Sequence, residues 1–156
     1  MGTEIERKFL VVGDGWREGV TRQSHFRQGY LANNDRCSVR VRLADDRGYL
    51  NIKSFELQMQ RTEFEYSIPD TDAREMLDHL CAKPLIEKTR YYVDYHGHLW
   101  EVDVFEGDNA GLVIAEIELQ DVDEVFDKPD WVGAEVTADP RYYNVNLIDH
   151  PFKDWR

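Results

Sequence analysis

The sequence predicts a mainly β protein (α+β) in which eight antiparallel strands close into a barrel-like tunnel with a charged interior and a few outer helices. Three observations predict this class. Eight strand-like runs are separated by short turn sequences. Formal charges occupy nearly every second position in many of these runs, with apolar residues between them. Helical patterns are few. A sheet with one charged and one apolar face is expected to curl around a wet interior, with its apolar face packed against the helices.

The predicted strands follow one another with little sequence between them. The first ends before Gly13-Asp14-Gly15, and Asp45-Asp46-Arg47-Gly48 divides the third from the fourth; both are typical turn sequences. His96-Gly97 predicts a tight hairpin between the sixth and seventh strands. Most consecutive strands are therefore expected to pair. The predicted strands are 3–12, 22–31, 37–44, 47–54, 60–68, 85–95, 98–105 and 112–119.

Three helices are predicted outside the sheet. The longest, 71–82, carries an apolar stripe and contains the capping pattern Asp72-x-x-Glu75 near its start. The spacing of apolar residues predicts a short helix at 121–127. A third helix is expected at 140–149, because Asp139-Pro140 combines a cap residue with proline at the first helical position.

The first strand shows the charge pattern most clearly. Glu4, Glu6 and Lys8 share one face, whereas Arg7 falls on the opposite, outer face. A solvated strand also alternates, but it rarely carries a charge at nearly every polar position. An unpaired charge in a dry interior costs several kcal/mol, so these charges must be hydrated, paired with one another or neutralised by a ligand. The later residues on such charged faces are Arg40, Arg42, Lys53, Arg61, Glu63, Glu65, Lys88, Arg90, Glu101, Asp103, Glu116 and Glu118.

These charges suit a compact polyanion with metal ions. Arginine grips phosphate oxygens in pairs, and lysine supplies a point charge. Clustered carboxylates hold hard cations such as Mg²⁺ or Mn²⁺, which bridge phosphate oxygens. The net charge of −12 argues against non-specific binding of nucleic acid or of an anionic membrane.

Length and composition set further expectations. The 156 residues fit one domain, 1–156, with a full-sized core. No apolar run approaches the roughly 20 residues that span a bilayer, and the chain enters a strand pattern too early for a signal peptide. Cys37 and Cys81 are interpreted as free thiols in a reducing cytoplasm. The oligomeric state stays open, a homodimer included.

The opening pattern Glu4-x-Glu6-x-Lys8 resembles the signature of the CYTH domain, also called the triphosphate tunnel metalloenzyme family, and the chain is similar to its short, single-domain bacterial members. Further matching motifs follow in order along essentially the whole chain, and the ordered set is a more specific signal than the first motif alone. These motifs are Gln28-Gly29-Tyr30, Val39-Arg40-Val41-Arg42, Ile52-Lys53, Glu63-Phe64-Glu65, Glu87-Lys88-Thr89-Arg90-Tyr91, Glu101-Val102-Asp103, Ala115-Glu116-Ile117-Glu118, Gly133-Ala134-Glu135-Val136-Thr137 and Arg141-Tyr142-Tyr143-Asn144.

The resemblance implies a tunnel that binds triphosphate and hydrolyses it with a divalent metal, Mg²⁺ or Mn²⁺. The residues that it implies for phosphate binding are Lys8, Arg40, Arg42, Lys53, Lys88 and Arg90, to which the charged-face pattern adds Arg61. The residues implied as metal ligands are Glu4, Glu6, Asp103, Glu116 and Glu118. Accessory carboxylates that bind metal through water or orient the cations are Glu63, Glu65 and Glu101.

In similar bacterial triphosphatases, a lysine of the Glu-Lys-Thr-Arg segment is proposed to activate the attacking water. That position is Lys88 here, and Tyr30 matches a tunnel tyrosine proposed to modulate it. Crowding by Arg90 and other cations is expected to lower the pKa of Lys88, as a lysine base requires. Plain phosphate binding by Lys88 is an equal alternative.

Hydrolysis of inorganic tripolyphosphate to pyrophosphate and phosphate is the leading interpretation. The chain has few insertions around the tunnel mouth, and no aromatic pocket is evident for the base of a nucleotide or for a thiazole ring. The enzyme alternatives are a class IV type of adenylate cyclase and hydrolysis of thiamine triphosphate or nucleoside triphosphates. The alternative from another class is a non-catalytic polyphosphate- or nucleotide-binding module. The full set of metal-type carboxylates argues against that module, since binding alone could rely on cations.

Overall fold

The computed structural model describes residues 2–55 and 59–155. Within those residues it contains nine strands and one α-helix. They are, in chain order, β1 (Gly2–Val11), β2 (Val20–Asn33), β3 (Cys37–Ala44), β4 (Arg47–Ser54), β5 (Gln60–Ile68), α1 (Asp70–His79), β6 (Ile86–Tyr95), β7 (His98–Phe105), β8 (Val113–Glu118) and β9 (Val132–Glu135).

The sheet closes into the predicted barrel. Its strand order is β5-β4-β3-β2-β6-β7-β8-β1-β9, and an additional pairing between β5 and β1 joins the ends. All of these pairings are antiparallel. Eight strands therefore form the closed barrel, and β9 is an extra strand on β1. The predicted fold class is confirmed.

The helix predictions were only partly correct. The one α-helix in the described residues, α1, begins after Pro69 with no side-chain cap, so the capping interpretation of Asp72-x-x-Glu75 was wrong. The segment 121–127 is not helical. There the Asp121 side chain accepts a hydrogen bond from the backbone of Asp123, and such local bonds compete with a helix.

The C-terminal segment is also not the predicted helix at 140–149. It forms two short 3₁₀ turns, Pro140–Tyr142 and Asn144–Leu147. Asp139 does cap the first turn by accepting from the backbone of Arg141 at 3.1 Å. The helix does not continue, although the segment's apolar residues Tyr142, Leu147 and Ile148 are buried against the barrel. The short strand β9 was not predicted.

The apolar core lies outside the barrel, between the outer faces of the strands and the segments that cover them. One cluster surrounds Trp100 and includes Phe9 and Ile117. A second joins the C-terminal segment to β6 through Leu147 and Ile86, and a third packs α1 against β3. The interior is thus left largely to charged and polar side chains. No helix in the described part of the chain is long and apolar enough to cross a membrane.

Candidate active site

The interior of the barrel is a cavity of about 560 Å³ with side chains from all eight barrel strands on its wall. Period-two alternation places these side chains there, because each lies on the inward face of its strand. Of the candidate residues, only Asp103 is absent from the wall. Those that line it are Glu4, Glu6, Lys8, Tyr30, Arg40, Arg42, Lys53, Arg61, Glu63, Glu65, Lys88, Arg90, Glu101, Glu116 and Glu118.

One part of the wall, the carboxylate side, consists of Glu4, Glu6 and Glu118 with Lys53. Glu6 lies directly opposite Glu118 in the β1–β8 register, and Lys53 Nζ is 2.9 Å from Glu4 Oε1. Burial raises the pKa of Glu6, and the charges of Glu116 and Glu4 raise it further. Burial and the charge of Glu4 likewise raise the pKa of Glu118. Negative charge is therefore in excess on this side.

A second part, the cation side, consists of Arg42, Lys88 and Arg90 around Asp103. Lys88 Nζ lies 2.7 Å from Asp103 Oδ2, and Arg90 donates to both Asp103 oxygens at 2.7 and 2.9 Å. Burial lowers the pKa of Lys88 to about 7, assisted by Arg90 and Arg42 and opposed by Asp103. The direction is the one expected from the sequence, but burial, not crowding by cations, is the largest cause.

Asp103 binds the side chains of Lys88 and Arg90 in this structure. It is 1% exposed, and both of its oxygens accept from Lys88 or Arg90. Despite its burial, these two cations lower its pKa. The side chain faces the barrel interior but lies beneath the cations that line the cavity.

Glu116 connects the two sides. It lies opposite Lys8 in the β1–β8 register, and its carboxylate is 3.7 Å from both Lys8 Nζ and Arg90 Nη2. Although burial opposes its ionisation, Lys8, Arg90 and Lys88 hold the pKa of Glu116 well below its usual range. Glu116 is thus held in its ionised form by these cations, whereas the pKa values of Glu6 and Glu118 are raised.

Arg40 and Arg42 have donors that no carboxylate satisfies. Arg40 is 8% exposed, and its Nε is buried without a hydrogen-bond partner among the described residues. Arg42 Nε donates to the neutral Gln28 side chain at 2.8 Å. A buried donor without a partner costs about 1–3 kcal/mol. These two guanidinium groups are therefore suited to an anion that enters the cavity.

Residues to which the sequence analysis gave no role also shape the site. Gln28 is fully buried opposite Arg42, and Asn51 donates to Glu63 at 2.8 Å. Both share the inward face of their strands, so counting polar as well as charged residues at alternate positions would have found them. Tyr143, between the two C-terminal 3₁₀ turns, and Asn144, at the start of the second, reach the cavity. No strand or helix period indicates such positions.

The donor set fits a hard divalent cation. No three carboxylates, imidazoles or thiolates among residues 2–55 and 59–155 are grouped closely enough to form a metal site by themselves. Mg²⁺, however, keeps several waters and is commonly held by one or two carboxylates together with substrate phosphates. Glu6 and Glu118 lie opposite each other on the neighbouring strands β1 and β8, and such a cation would relieve the repulsion between their like charges.

Comparisons with known proteins agree with this geometry. The family model for the CYTH domain matches residues 2–149. An inorganic triphosphatase from Acetivibrio thermocellus is 51% identical over 156 residues, covering 100% of this chain and 99% of that protein. One from Nitrosomonas europaea is 36% identical over 157 residues, covering 93% and 96%. A crystal structure of an inorganic triphosphatase matches with a TM-score of 0.68 at 35% identity, covering 95% of each chain.

Proposed function

The chain belongs to the CYTH domain family, and on that premise we propose that it hydrolyses inorganic tripolyphosphate to pyrophosphate and phosphate with the help of a divalent metal ion. One observation carries this proposal: a single cavity joins the buried, unsatisfied Nε donor of Arg40 to a pair of facing carboxylates, Glu6 and Glu118. The two relatives named inorganic triphosphatases, at 51% and 36% identity, support it.

The cations of the cavity would bind the phosphate chain. Arg40 and Arg42 have the least competition from carboxylates, so they are the strongest candidates for direct contacts with phosphate oxygens. Lys8, Arg61 and Arg90 line the same wall and would add charge. Lys53 is closely paired with Glu4, so we assign it mainly to ordering the carboxylates.

Glu6 and Glu118 would hold the metal ion, with Glu4 and Glu116 beside them. All four offer carboxylate oxygens, which suit Mg²⁺ or Mn²⁺. When bound, the ion supplies positive charge that neutralises the phosphate oxygens during the reaction. We assign Asp103 to anchoring Lys88 and Arg90, because both of its oxygens are already engaged by these cations.

Lys88 is assigned as the general base. Its pKa of about 7 leaves a substantial neutral fraction at physiological pH, which a lysine base requires. The neutral amine accepts a proton from water as the water oxygen attacks the terminal phosphorus. The bond between that phosphorus and the bridging oxygen breaks, and pyrophosphate leaves with the electron pair. Tyr30 lies opposite Arg40 in the β2–β3 register and lines the cavity. Its role in modulating Lys88 stays a prediction.

A substrate panel tests the proposal. Phosphate release is measured from tripolyphosphate, ATP, thiamine triphosphate and pyrophosphate, each with Mg²⁺, Mn²⁺ or a chelator, alongside an assay for cyclic AMP. We expect fastest turnover of tripolyphosphate, with equal amounts of pyrophosphate and phosphate and no turnover with the chelator. Faster release from ATP or thiamine triphosphate would instead make that compound the substrate. Formation of cyclic AMP would indicate a cyclase.

Calorimetric titration separates the non-catalytic alternative. Tight binding of tripolyphosphate without hydrolysis under any of these metals would show that the chain is a polyphosphate-binding module and would contradict the proposal. The Arg40→Met variant keeps a long, unbranched side chain but removes a phosphate-binding charge, so it should bind tripolyphosphate more weakly than the wild type.

A further inference from the structure

One asparagine side chain joins the C-terminal segment to the proposed base. Asn144 Oδ1 accepts a hydrogen bond from Lys88 Nζ at 2.8 Å and a second from Gln28 Nε2 at 3.1 Å. Asn144 begins the 3₁₀ turn Asn144–Leu147 and lines the cavity. Its oxygen therefore contacts Lys88 inside the cavity, although Asn144 belongs to the C-terminal segment and not to a barrel strand.

The direction of these hydrogen bonds is determined at both ends. Arg42 Nε can only donate, so the oxygen of Gln28 must face it, at 2.8 Å, and the Gln28 amide nitrogen must face Asn144. A protonated Lys88 can likewise only donate, which requires the oxygen of Asn144. Neither amide can be reversed without placing two donors or two acceptors together.

We propose that Asn144 is a positioning residue that directs the lone pair of Lys88 toward the attacking water. This inference rests on the proposed function. Lys88 Nζ has four tetrahedral positions, of which one is the bond to Cε and two are hydrogen bonds to Asp103 and Asn144. In the neutral amine both N–H bonds are donated to these acceptors. The lone pair is left with the fourth position, and the proposal directs it into the cavity because Lys88 is part of the cavity wall.

The arrangement also accommodates the proton transfer. When the lone pair takes a proton from water, the resulting ammonium keeps its two hydrogen bonds to Asp103 and Asn144. The third N–H occupies the position of the former lone pair and faces the new phosphate oxygen. No rotation of the side chain is needed, so the base keeps its geometry through the step.

The C-terminal segment is anchored firmly enough to act in this way. Leu147 and Ile86 are fully buried in one cluster, and Ile86 lies two residues before Lys88 on β6. Tyr143, next to Asn144, donates from its hydroxyl to the carbonyl of Thr137 at 2.9 Å. Asn144 is thus held on both sides by packing and hydrogen bonding.

The test compares three variants of the full chain. Asn144→Leu keeps the volume but removes the acceptor, whereas Asn144→Asp keeps an acceptor oxygen. Asn146→Leu is the matched control, because Asn146 lies in the same turn and its side-chain amide, within the described residues, donates to the carbonyl of Pro140 and not to Lys88. Each kcat for tripolyphosphate is taken on the alkaline plateau of the variant, and thermal unfolding checks the fold.

We expect Asn144→Leu to lower kcat about 10- to 100-fold, with KM changed less than about twofold, because a misdirected base slows the reaction without weakening binding. Asn144→Asp should recover most of that loss, and Asn146→Leu should match the wild type. If Asn144→Leu does not fold, Asn144→Ala takes its place.

Three outcomes would overturn the inference. They are a kcat of Asn144→Leu within about twofold of the wild type, an equal loss in Asn144→Leu and Asn144→Asp, and a change confined to KM. Failure of the proposed function looks different, since the wild type itself would then not hydrolyse tripolyphosphate. Failure of the base assignment would appear as full turnover in Lys88→Met.

Discussion

On the carboxylate side of the cavity, burial and like charge raise the pKa of Glu6 and Glu118, whereas on the cation side they lower the pKa of Lys88 and Arg42. The physical causes are the same, and the directions are opposite because the groups carry opposite charges. Each side is therefore relieved by a ligand of the opposite sign. The difference supports the proposed placement of a metal cation on one side and a phosphate chain on the other.

The largest effect is expected on the cation side. Lys88→Met should lower kcat by about 10²- to 10⁴-fold, the usual contribution of a general base, while KM changes little. Asp103 keeps its paired hydrogen bonds to Arg90, so the fold should survive. Steady-state kinetics with tripolyphosphate measure both constants. A rise in KM alone would make Lys88 a phosphate ligand.

The pH profile of the wild type belongs to the same prediction. Because the neutral amine is the active form, kcat/KM should rise with pH through about 7, the pKa of Lys88 in the free protein, and then level off. The rise should be absent from the residual activity of Lys88→Met. A profile that is identical in both proteins would assign the titration to another group.

The second largest effect is expected for the phosphate-binding donors. Arg40→Met should raise KM for tripolyphosphate about 10- to 100-fold, which corresponds to the loss of charge-assisted hydrogen bonds of about 1.5–3 kcal/mol. Arg7→Met is the matched control, because Arg7 lies on the outer face and pairs with Glu135 at 2.6 Å. That variant should leave KM unchanged and cost about 0.2–1 kcal/mol of unfolding free energy. Equal KM values in the two variants would contradict the phosphate-binding role of Arg40.

On the carboxylate side, Glu118→Gln should weaken the apparent affinity for Mg²⁺ or Mn²⁺ on the order of 10-fold. In metal-free buffer the same change should not lower stability, because it removes repulsion with Glu6. Glu116→Gln should also impair metal-dependent turnover, but it should destabilise the protein, since Glu116 is paired with Lys8 and Arg90. Metal titrations of activity and urea unfolding test both statements.

The smallest effect is expected in the pH dependence of stability in metal-free buffer. The folded-state pKa of Lys88 lies below its ordinary value, so the unfolded chain binds more protons between pH 7 and about 10, and unfolding free energy should rise with pH there. The raised pKa values of Glu6 and Glu118 act oppositely, because stability is lost as pH rises above about 4.5 through their folded values. Lys88→Met should flatten the first slope and Glu118→Gln the second. Unchanged slopes would show that these groups are not perturbed.

The charged faces of the strands could be predicted because alternation is a local property. Glu4, Lys8 and Arg40 line the cavity. Their direction does not depend on which strands are neighbours, as long as the apolar face of each strand packs against the outer segments. The C-terminal segment was predicted less well. Asp139 caps the segment and Pro140 begins the first turn, as predicted, yet two 3₁₀ turns form in place of the expected helix.

The sequence by itself determined which residues face the barrel interior, because the two-residue period of a strand assigns each side chain to a face. Only the tertiary structure decided how deep each residue lies and which charges it meets. Asp103 shares its face with Glu101, yet it is buried beneath Lys88 and Arg90 instead of lining the cavity. The hydrogen bond between Asn144 and Lys88 joins residues that are 56 positions apart, one in a 3₁₀ turn and the other in strand β6. Burial and charge pairing depend on such distant neighbours, which no local period encodes.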